Sequence, residues 1–183
     1  MRAVGHNLEM SRWGIETFGD PCRGCAFRWS MPVANAAEIV DGAPRRFTDL
    51  VAEASGSARR DDLGWSVSGY LCHVGDSIRI WAERIASVAL GNTGPVALYD
   101  QDLLATARHY DDVDVRAALW SLSRAVEDWH ASLELVGGAS FEMIHSEVGQ
   151  MTLADVILIR AHDVAHHAWD VERTISATSQ PSN

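Results

Sequence analysis

The 183-residue chain contains no lysine, only three cysteines and five prolines, and no long apolar run. Because no run is long enough to cross a bilayer, the sequence argues against a membrane-spanning helix. The first ten residues include no apolar stretch of the kind found in secretory signals, so we expect a cytoplasmic protein. An odd number of cysteines in such a chain argues against a framework of disulfide bonds.

Positive charge is also scarce. Acidic residues outnumber basic ones by 25 to 15, which gives a net charge of −10 at pH 7. Binding to nucleic acid or to an anionic membrane needs a basic surface, so we expect neither as a partner. The apolar content of 47% is enough for a substantial core, and the length predicts a single main domain.

Three parts of the chain differ in pattern. Residues 1–31 are glycine-rich and irregular, and we expect them to form an arm that lays its aromatic side chains on the main body. Residues 32–176 contain the helical patterns, and residues 177–183 are expected to form a flexible tail. The aromatic residues of the arm are Trp13, Phe18, Phe27 and Trp29.

Four amphipathic helices account for most of residues 32–176. Asn35 and Glu38 have the spacing of a capping box and predict the start of the first helix, which Pro44 should kink or split. Apolar residues that recur every three or four positions predict the other three helices. With no convincing sheet, the pattern predicts an all-α, up-and-down four-helix bundle. The later helices are predicted over Trp65–Leu90, Asp112–Val136 and Thr152–Thr174.

The connections between the predicted helices hold little regular structure. We expect a short helix over Asp102–Tyr110 and a small hairpin with its turn at Gly149. Thr152 and Asp155 form a second capping box, which marks the start of the fourth helix.

The fourth helix carries the most informative motif, the pair His162 and His166. Residues four apart lie one above the other on a helix, so two imidazoles at this spacing can bind one metal ion. On a helical wheel the pair borders an apolar strip, whereas His167 falls on the polar flank, beside the site or in solvent. A catalytic zinc site usually has three protein ligands. The best third candidate is His73, at the edge of the apolar stripe of the second helix.

With these features the sequence resembles the DinB-like four-helix-bundle superfamily, which includes mycothiol-dependent maleylpyruvate isomerases and bacterial thiol S-transferases. The resemblance covers about Asn35 to Thr174 and rests on helix order and on the placement of the histidines. It implies that a triad of His73, His162 and His166 holds a divalent metal ion. Zinc is the favoured ion, with nickel and iron as alternatives, because imidazole suits all three.

Two positions bear on the branch of the superfamily. In the maleylpyruvate isomerase branch the second ligand is commonly glutamate, and His162 at that position places the chain nearer the plain DinB-like branch. Many members carry arginine after the last ligand, where this chain has His167. The resemblance implies a metal-dependent transferase or isomerase that acts on a small-molecule substrate, with a low-molecular-weight thiol as cosubstrate. A metal-dependent hydrolase and a non-catalytic metal- or small-molecule-binding bundle remain alternatives, and the residues leave a homodimer open.

Other residues near the predicted ligands are candidates for supporting roles. Asp163, Asp170 and Asp76 could orient imidazole ligands through their carboxylates. Trp169 lies one turn after His166 and could form a wall of the pocket. The alternative for the three aspartates is a solvated helix face, and for Trp169 it is core packing.

The arm contains a C-x-x-C motif at Cys22 and Cys25. This motif could be half of a zinc site or a redox pair, but the sequence has no second cysteine pair and no surrounding βαβ pattern. A tight turn is the alternative interpretation. We expect Cys72, next to His73, to be a small packing residue.

Overall fold

The computed structural model describes residues 14–137 and 141–178. Trp13 and residues 179–183 of the expected tail therefore lie outside the described residues. Within the described ranges, no helix has both the length and the apolar character needed to cross a membrane. The elements are α1 (Val33–Asp41), α2 (Ala43–Leu50), α3 (Val67–Ala89), α4 (Gln101–Ala107), α5 (Val115–Val136), β1 (Glu142–His145), β2 (Gly149–Thr152) and α6 (Leu153–Thr178).

The long helices α3, α5 and α6, together with the consecutive pair α1 and α2, form a four-helix bundle. Helix α3 packs along α5, while α6 lies between α1 and α3. Apolar side chains at helical spacing turn to the inside, as a bundle core requires. The central residues Leu71, Leu122 and Trp129 are fully buried. The predicted all-α bundle is confirmed.

The first helix starts earlier than predicted and is split at the predicted place. The main-chain carbonyl of Pro32 accepts hydrogen bonds from the N–H groups of Asn35 and Ala36, at 2.9 and 3.1 Å. Asn35 is therefore already inside the first turn, and its prediction as a cap is wrong. Helix α1 ends at Asp41, and Pro44 stands in the first turn of α2, where its missing N–H disrupts nothing.

The hairpin and the start of α6 form one continuous unit, as predicted. Asp155 Oδ2 accepts hydrogen bonds from the N–H and the hydroxyl of Thr152, at 2.8 and 2.6 Å, and the Asp155 N–H donates to Thr152 Oγ1 at 3.2 Å. Strands β1 and β2 are antiparallel, with His145 opposite Gly149. Val96 pairs with β1, so the connection after α3 is held beside the hairpin.

Asp76 is buried on α3 and joins that helix to the segment between α4 and α5. Its carboxylate accepts hydrogen bonds from the Tyr110 hydroxyl at 2.6 Å, from Arg79 at 2.7 Å and from Arg108. A buried carboxylate needs such partners because an uncompensated charge is strongly destabilising in the interior. The structure thus places Asp76, a candidate for orienting metal ligands, in a network that stabilises the fold.

We expect Asp76→Ala to lower the free energy of unfolding by about 2–3 kcal/mol, because Tyr110 and two arginines lose their shared acceptor. Tyr110→Phe removes one hydrogen bond and should lower it by about 1 kcal/mol. Urea denaturation measures both changes. The control Asp112→Ala alters an exposed residue and should stay within about 0.5 kcal/mol of the parent protein. A change for Asp76→Ala as small as that of the control would contradict this role.

Candidate metal centre

Helix α6 presents two adjacent rows of side chains that could bind metal. His162 and His166 form one row, and Asp163 and His167, each one residue later, form the other. Successive helical residues are rotated by about 100°, so the two rows meet different neighbours. The first row faces the N-terminal arm, and the second row faces His73 on α3.

His73 completes a three-residue group with the second row. Asp163 Oδ1 lies 3.7 Å from Nε2 of His73 and 3.4 Å from Nε2 of His167. The ligand atoms of all three residues lie within 4.8 Å of one another. Two imidazoles and a carboxylate at these distances could hold a divalent ion and leave coordination positions open.

Further hydrogen bonds fix the orientation of this group. His167 Nδ1 lies 3.1 Å from Asp170 Oδ2, and Asp163 Oδ2 accepts a hydrogen bond from Arg160 at 3.1 Å. The remaining atoms, Nε2 of His167 and Oδ1 of Asp163, are therefore directed to a common point. Such outer partners are typical of metal-binding histidines.

The pKa values in the group indicate that its centre favours positive charge. Burial by itself would lower the pKa of His167, but hydrogen bonds with Asp163 and Asp170 outweigh it and raise the pKa to about 9. Burial would likewise raise the pKa of Asp163, but Arg160, His167 and His73 hold it well below the usual range. A raised pKa favours protonation of His167, so metal binding at this centre would compete with a proton.

A cavity of about 250 Å³ opens beside His73 and Asp163. Its walls are mainly apolar and aromatic, with a few charged groups converging on it, which is typical of a small-molecule site. The lining includes Phe18, Trp81, Met151, Ile159, Arg84, Arg160 and His145.

Two arginines and one neutral histidine are among the hydrogen-bond donors whose side chains line this cavity. The guanidinium groups of Arg84 and Arg160 lie 4.8 and 5.0 Å from the ring centre of Trp81. Arg160 Nε is buried and has no hydrogen-bond partner within the described part of the chain. Burial lowers the pKa of His145, and its Nδ1 accepts the Glu147 N–H at 3.3 Å, so its proton is on Nε2.

The first row of α6 meets the two cysteines of the arm. The ligand atoms of Cys22, Cys25, His162 and His166 lie within 4.8 Å of one another. Cys22 Sγ is 3.6 Å from His166 Nδ1. Burial raises the pKa of the Cys25 thiol to about 11. The C-x-x-C motif therefore lies against the last helix.

Aromatic side chains of the arm enclose His162, a contact that the sequence did not predict. The ring centres of Phe18, Phe27 and Trp29 lie 4.5, 5.4 and 4.7 Å from that of His162. Burial lowers the pKa of His162 to about 4, so this imidazole is neutral.

The three predicted ligands fall into two groups. His73 meets Asp163 and His167, whereas His162 and His166 meet the cysteines. The helical wheel showed which residues share a face of the last helix, but it could not show which of those faces turns toward α3. His167, expected beside the site or in solvent, lies inside the group of His73.

The two remaining candidates from the sequence, Asp170 and Trp169, each contact a histidine of α6. Asp170 holds His167, and Trp169 lies 5.4 Å from the His166 ring and under Arg173 at 4.1 Å. Arg84, Arg160 and His145 also line the cavity, although the sequence did not indicate this. No local pattern distinguishes them, because the hairpin and two separate helices bring them together.

A family model of the DinB superfamily matches residues 40–171. The chain belongs to the DinB superfamily. Comparison with curated proteins gives no match. Among solved structures, the chain is similar to YfiT from Bacillus subtilis, at 18% identity over 80% of this chain and 86% of that one, with a TM-score of 0.67. That protein is described as a probable metal-dependent hydrolase with an unusual four-helix bundle topology.

The contact between Asp170 and His167 allows a test of whether His73, Asp163 and His167, the group on α3 and α6, bind a metal ion. We expect Asp170→Asn to weaken its affinity for a divalent ion by about 10- to 100-fold, because His167 loses the carboxylate that orients it. Dialysis against graded chelator concentrations, followed by elemental analysis, measures the change. The control is Glu172→Gln. Glu172 lies on α6, as Asp170 does, but forms an exposed ion pair with Arg46 of α2, so its substitution should leave the affinity unchanged. Equal affinities in the two variants would contradict the assignment.

Proposed function

We propose that this protein is a divalent-metal-dependent enzyme that acts on a small anionic substrate and uses a low-molecular-weight thiol as cosubstrate. The observation that carries the proposal is the convergence of two imidazoles and one carboxylate beside an open cavity. His73, Asp163 and His167 would hold the ion, in place of the predicted triad that included His162 and His166. Asp163 then supplies the carboxylate that the maleylpyruvate isomerase branch commonly provides as glutamate.

The donor set fits a divalent ion that takes part in a reaction. When bound, such an ion lowers the pKa of a thiol or water molecule that occupies an open coordination position. One carboxylate leaves part of the charge of the ion uncompensated, which strengthens this effect. Asp170 fixes the ring of His167 and Arg160 fixes the carboxylate of Asp163, so these two ligands need little reorganisation.

The cavity walls favour an anionic substrate with an apolar part. Guanidinium groups such as those of Arg84 and Arg160 bind carboxylates through charge-assisted hydrogen bonds. Trp81 and Met151 exclude water around them, which strengthens electrostatic interactions. His145 carries its proton on Nε2 and can donate it to a bound substrate.

A thiol suits the site better than water does as the attacking group. Among the described residues that line the cavity, the carboxylates are Asp163 and Glu147. Asp163 is directed at the two histidines, and Glu147 is exposed. Hydrolysis commonly needs a general base, and neither carboxylate is placed to act as one; a thiol would not need this base, because a bound divalent ion would favour its thiolate form.

Hydrolysis is the second candidate, because two histidines and a carboxylate also hold the zinc ion of several peptidases. The description of YfiT agrees with that reaction. A bundle that binds metal without catalysis is the remaining alternative.

Metal removal tests the proposed reaction. The protein is depleted with chelator, reloaded with zinc, nickel or iron(II), and assayed with mycothiol or glutathione and a chromogenic electrophile. We expect thiol transfer to require metal and to fall by about 10³-fold in His73→Ala, since the Lewis acid contributes several kcal/mol. Cys72→Ser is the control and should keep its activity. Thiol transfer that survives metal removal would contradict the proposal, and ester cleavage without thiol would favour hydrolysis.

Arg84 tests the charge of the substrate. We expect Arg84→Gln to raise KM for an anionic electrophile by about tenfold, because one charge-assisted hydrogen bond is lost, and to leave kcat nearly unchanged. A neutral analogue of the same electrophile should show little change. Arg116→Gln, at an exposed position of α5, is the matched control. An equal effect on the anionic and neutral substrates would contradict this role.

A further inference from the structure

We propose a second metal site in this protein, in which Cys22, Cys25, His162 and His166 hold one zinc ion. The site joins the arm to α6 and has a structural role. It stands independently of the proposed function, because none of its four ligands belongs to the group formed by His73.

The distances between the donor atoms agree with a tetrahedral site. The four donors lie within 4.8 Å of one another, and Cys22 Sγ lies 3.6 Å from His166 Nδ1. Zinc with tetrahedral bonds of about 2.3 Å to sulfur and about 2.0 Å to nitrogen would separate two such donors by about 3.5 Å, close to the observed distance. A hydrogen bond between thiol and imidazole could explain this pair, but it does not explain why two further donors converge on the same point.

His162 supplies an independent observation. Only 5% of the residue is exposed, and its Nε2 is buried without a hydrogen-bond partner among the residues that the structure describes. A buried polar atom without a partner is destabilising, because it has lost its hydrogen bond to water without replacement. A metal ion bound through this nitrogen would remove that destabilisation.

The turn that carries the cysteines is shaped to fit against α6. The Cys22 N–H donates to the Phe27 carbonyl at 2.7 Å, and the Ala26 N–H donates to the Cys22 carbonyl at 3.0 Å, which closes the turn. A Cβ atom at Gly24 would lie 2.8 Å from the Trp169 ring and 3.0 Å from the His166 ring. Glycine at this position therefore allows the motif to approach the two histidines.

Charge and coordination number distinguish this site from the group on α3 and α6. Two thiolates and two neutral imidazoles balance the charge of a divalent ion, which suits a largely buried position. Four protein ligands fill a tetrahedral shell, so no position is left for a substrate. A set of two sulfurs and two nitrogens favours zinc. Because Phe18 and His162 also line the cavity, the ion would hold one of its walls in place.

Cobalt(II) substitution of the full-length, reduced protein tests the site. Coordinated thiolate gives cobalt a charge-transfer band in the near ultraviolet that imidazole and carboxylate do not give. We expect this band in the parent protein, in Cys72→Ser and in His73→Ala, and its loss or clear weakening in Cys25→Ser and His166→Ala at equal cobalt concentration. Elemental analysis should show one metal equivalent fewer in these last two variants. A folded parent protein without the band, or a band of unchanged intensity in Cys25→Ser, would overturn the proposal.

Thiol alkylation of the parent protein gives a second test that does not depend on the variants folding. Iodoacetamide is added to the zinc-loaded protein with and without chelator, and peptide mass spectrometry follows each cysteine. We expect zinc to protect Cys22 and Cys25 and to leave the alkylation of Cys72 unchanged. Equal alkylation of Cys22 and Cys25 with and without chelator would overturn the proposal. A Cys22–Cys25 disulfide that forms in the presence of zinc would also overturn it, in favour of a redox pair.

Discussion

Helix α6 carries four polar side chains in two adjacent rows; His162 is buried, the other three are half-buried, and each lies against a partner. A polar group removed from water is destabilising unless a hydrogen bond, an opposite charge or a metal ion compensates it. Asp163 meets this requirement through Arg160 and the histidines, and His167 meets it through Asp163 and Asp170. The other row turns to the cysteines of the arm. This constraint governs which side chains of the arm and of α3 lie against α6, whereas apolar packing holds the bundle itself together.

The two rows offer different chemistry because their surroundings differ. The arm covers one row with two cysteines and an aromatic shell; the two cysteine sulfurs and the two histidines of the row make four converging donors, so that side is closed. On the other side three donors border a cavity, so that side is open to a ligand. A closed, charge-balanced shell favours stability, whereas an open shell with excess positive charge favours reaction. One helix thus supplies residues for both purposes on neighbouring faces.

The cavity also shows that the charge of the chain does not set the charge of a site. The whole protein carries a net charge of −10, yet two arginines line the cavity. Arg84 and Arg160 lie over the ring of Trp81, and this cation–π contact helps to hold both positive groups beside an apolar surface. The acidic composition therefore argues against nucleic acid as a partner without arguing against an anionic small molecule.

The sequence by itself determined the helices, the break at Pro44, the hairpin and the capping box at Thr152. These features depend on residues a few positions apart, and periodicity and capping report such local interactions. It also showed that His162 and His166 share one face of a helix. Only the tertiary structure decided which neighbour each face meets, since Cys22 and His166 are 144 positions apart and a helical wheel does not fix the rotation of α6 against α3. For that reason the metal ligands of each group became apparent only from the packing of the arm and α3 around α6.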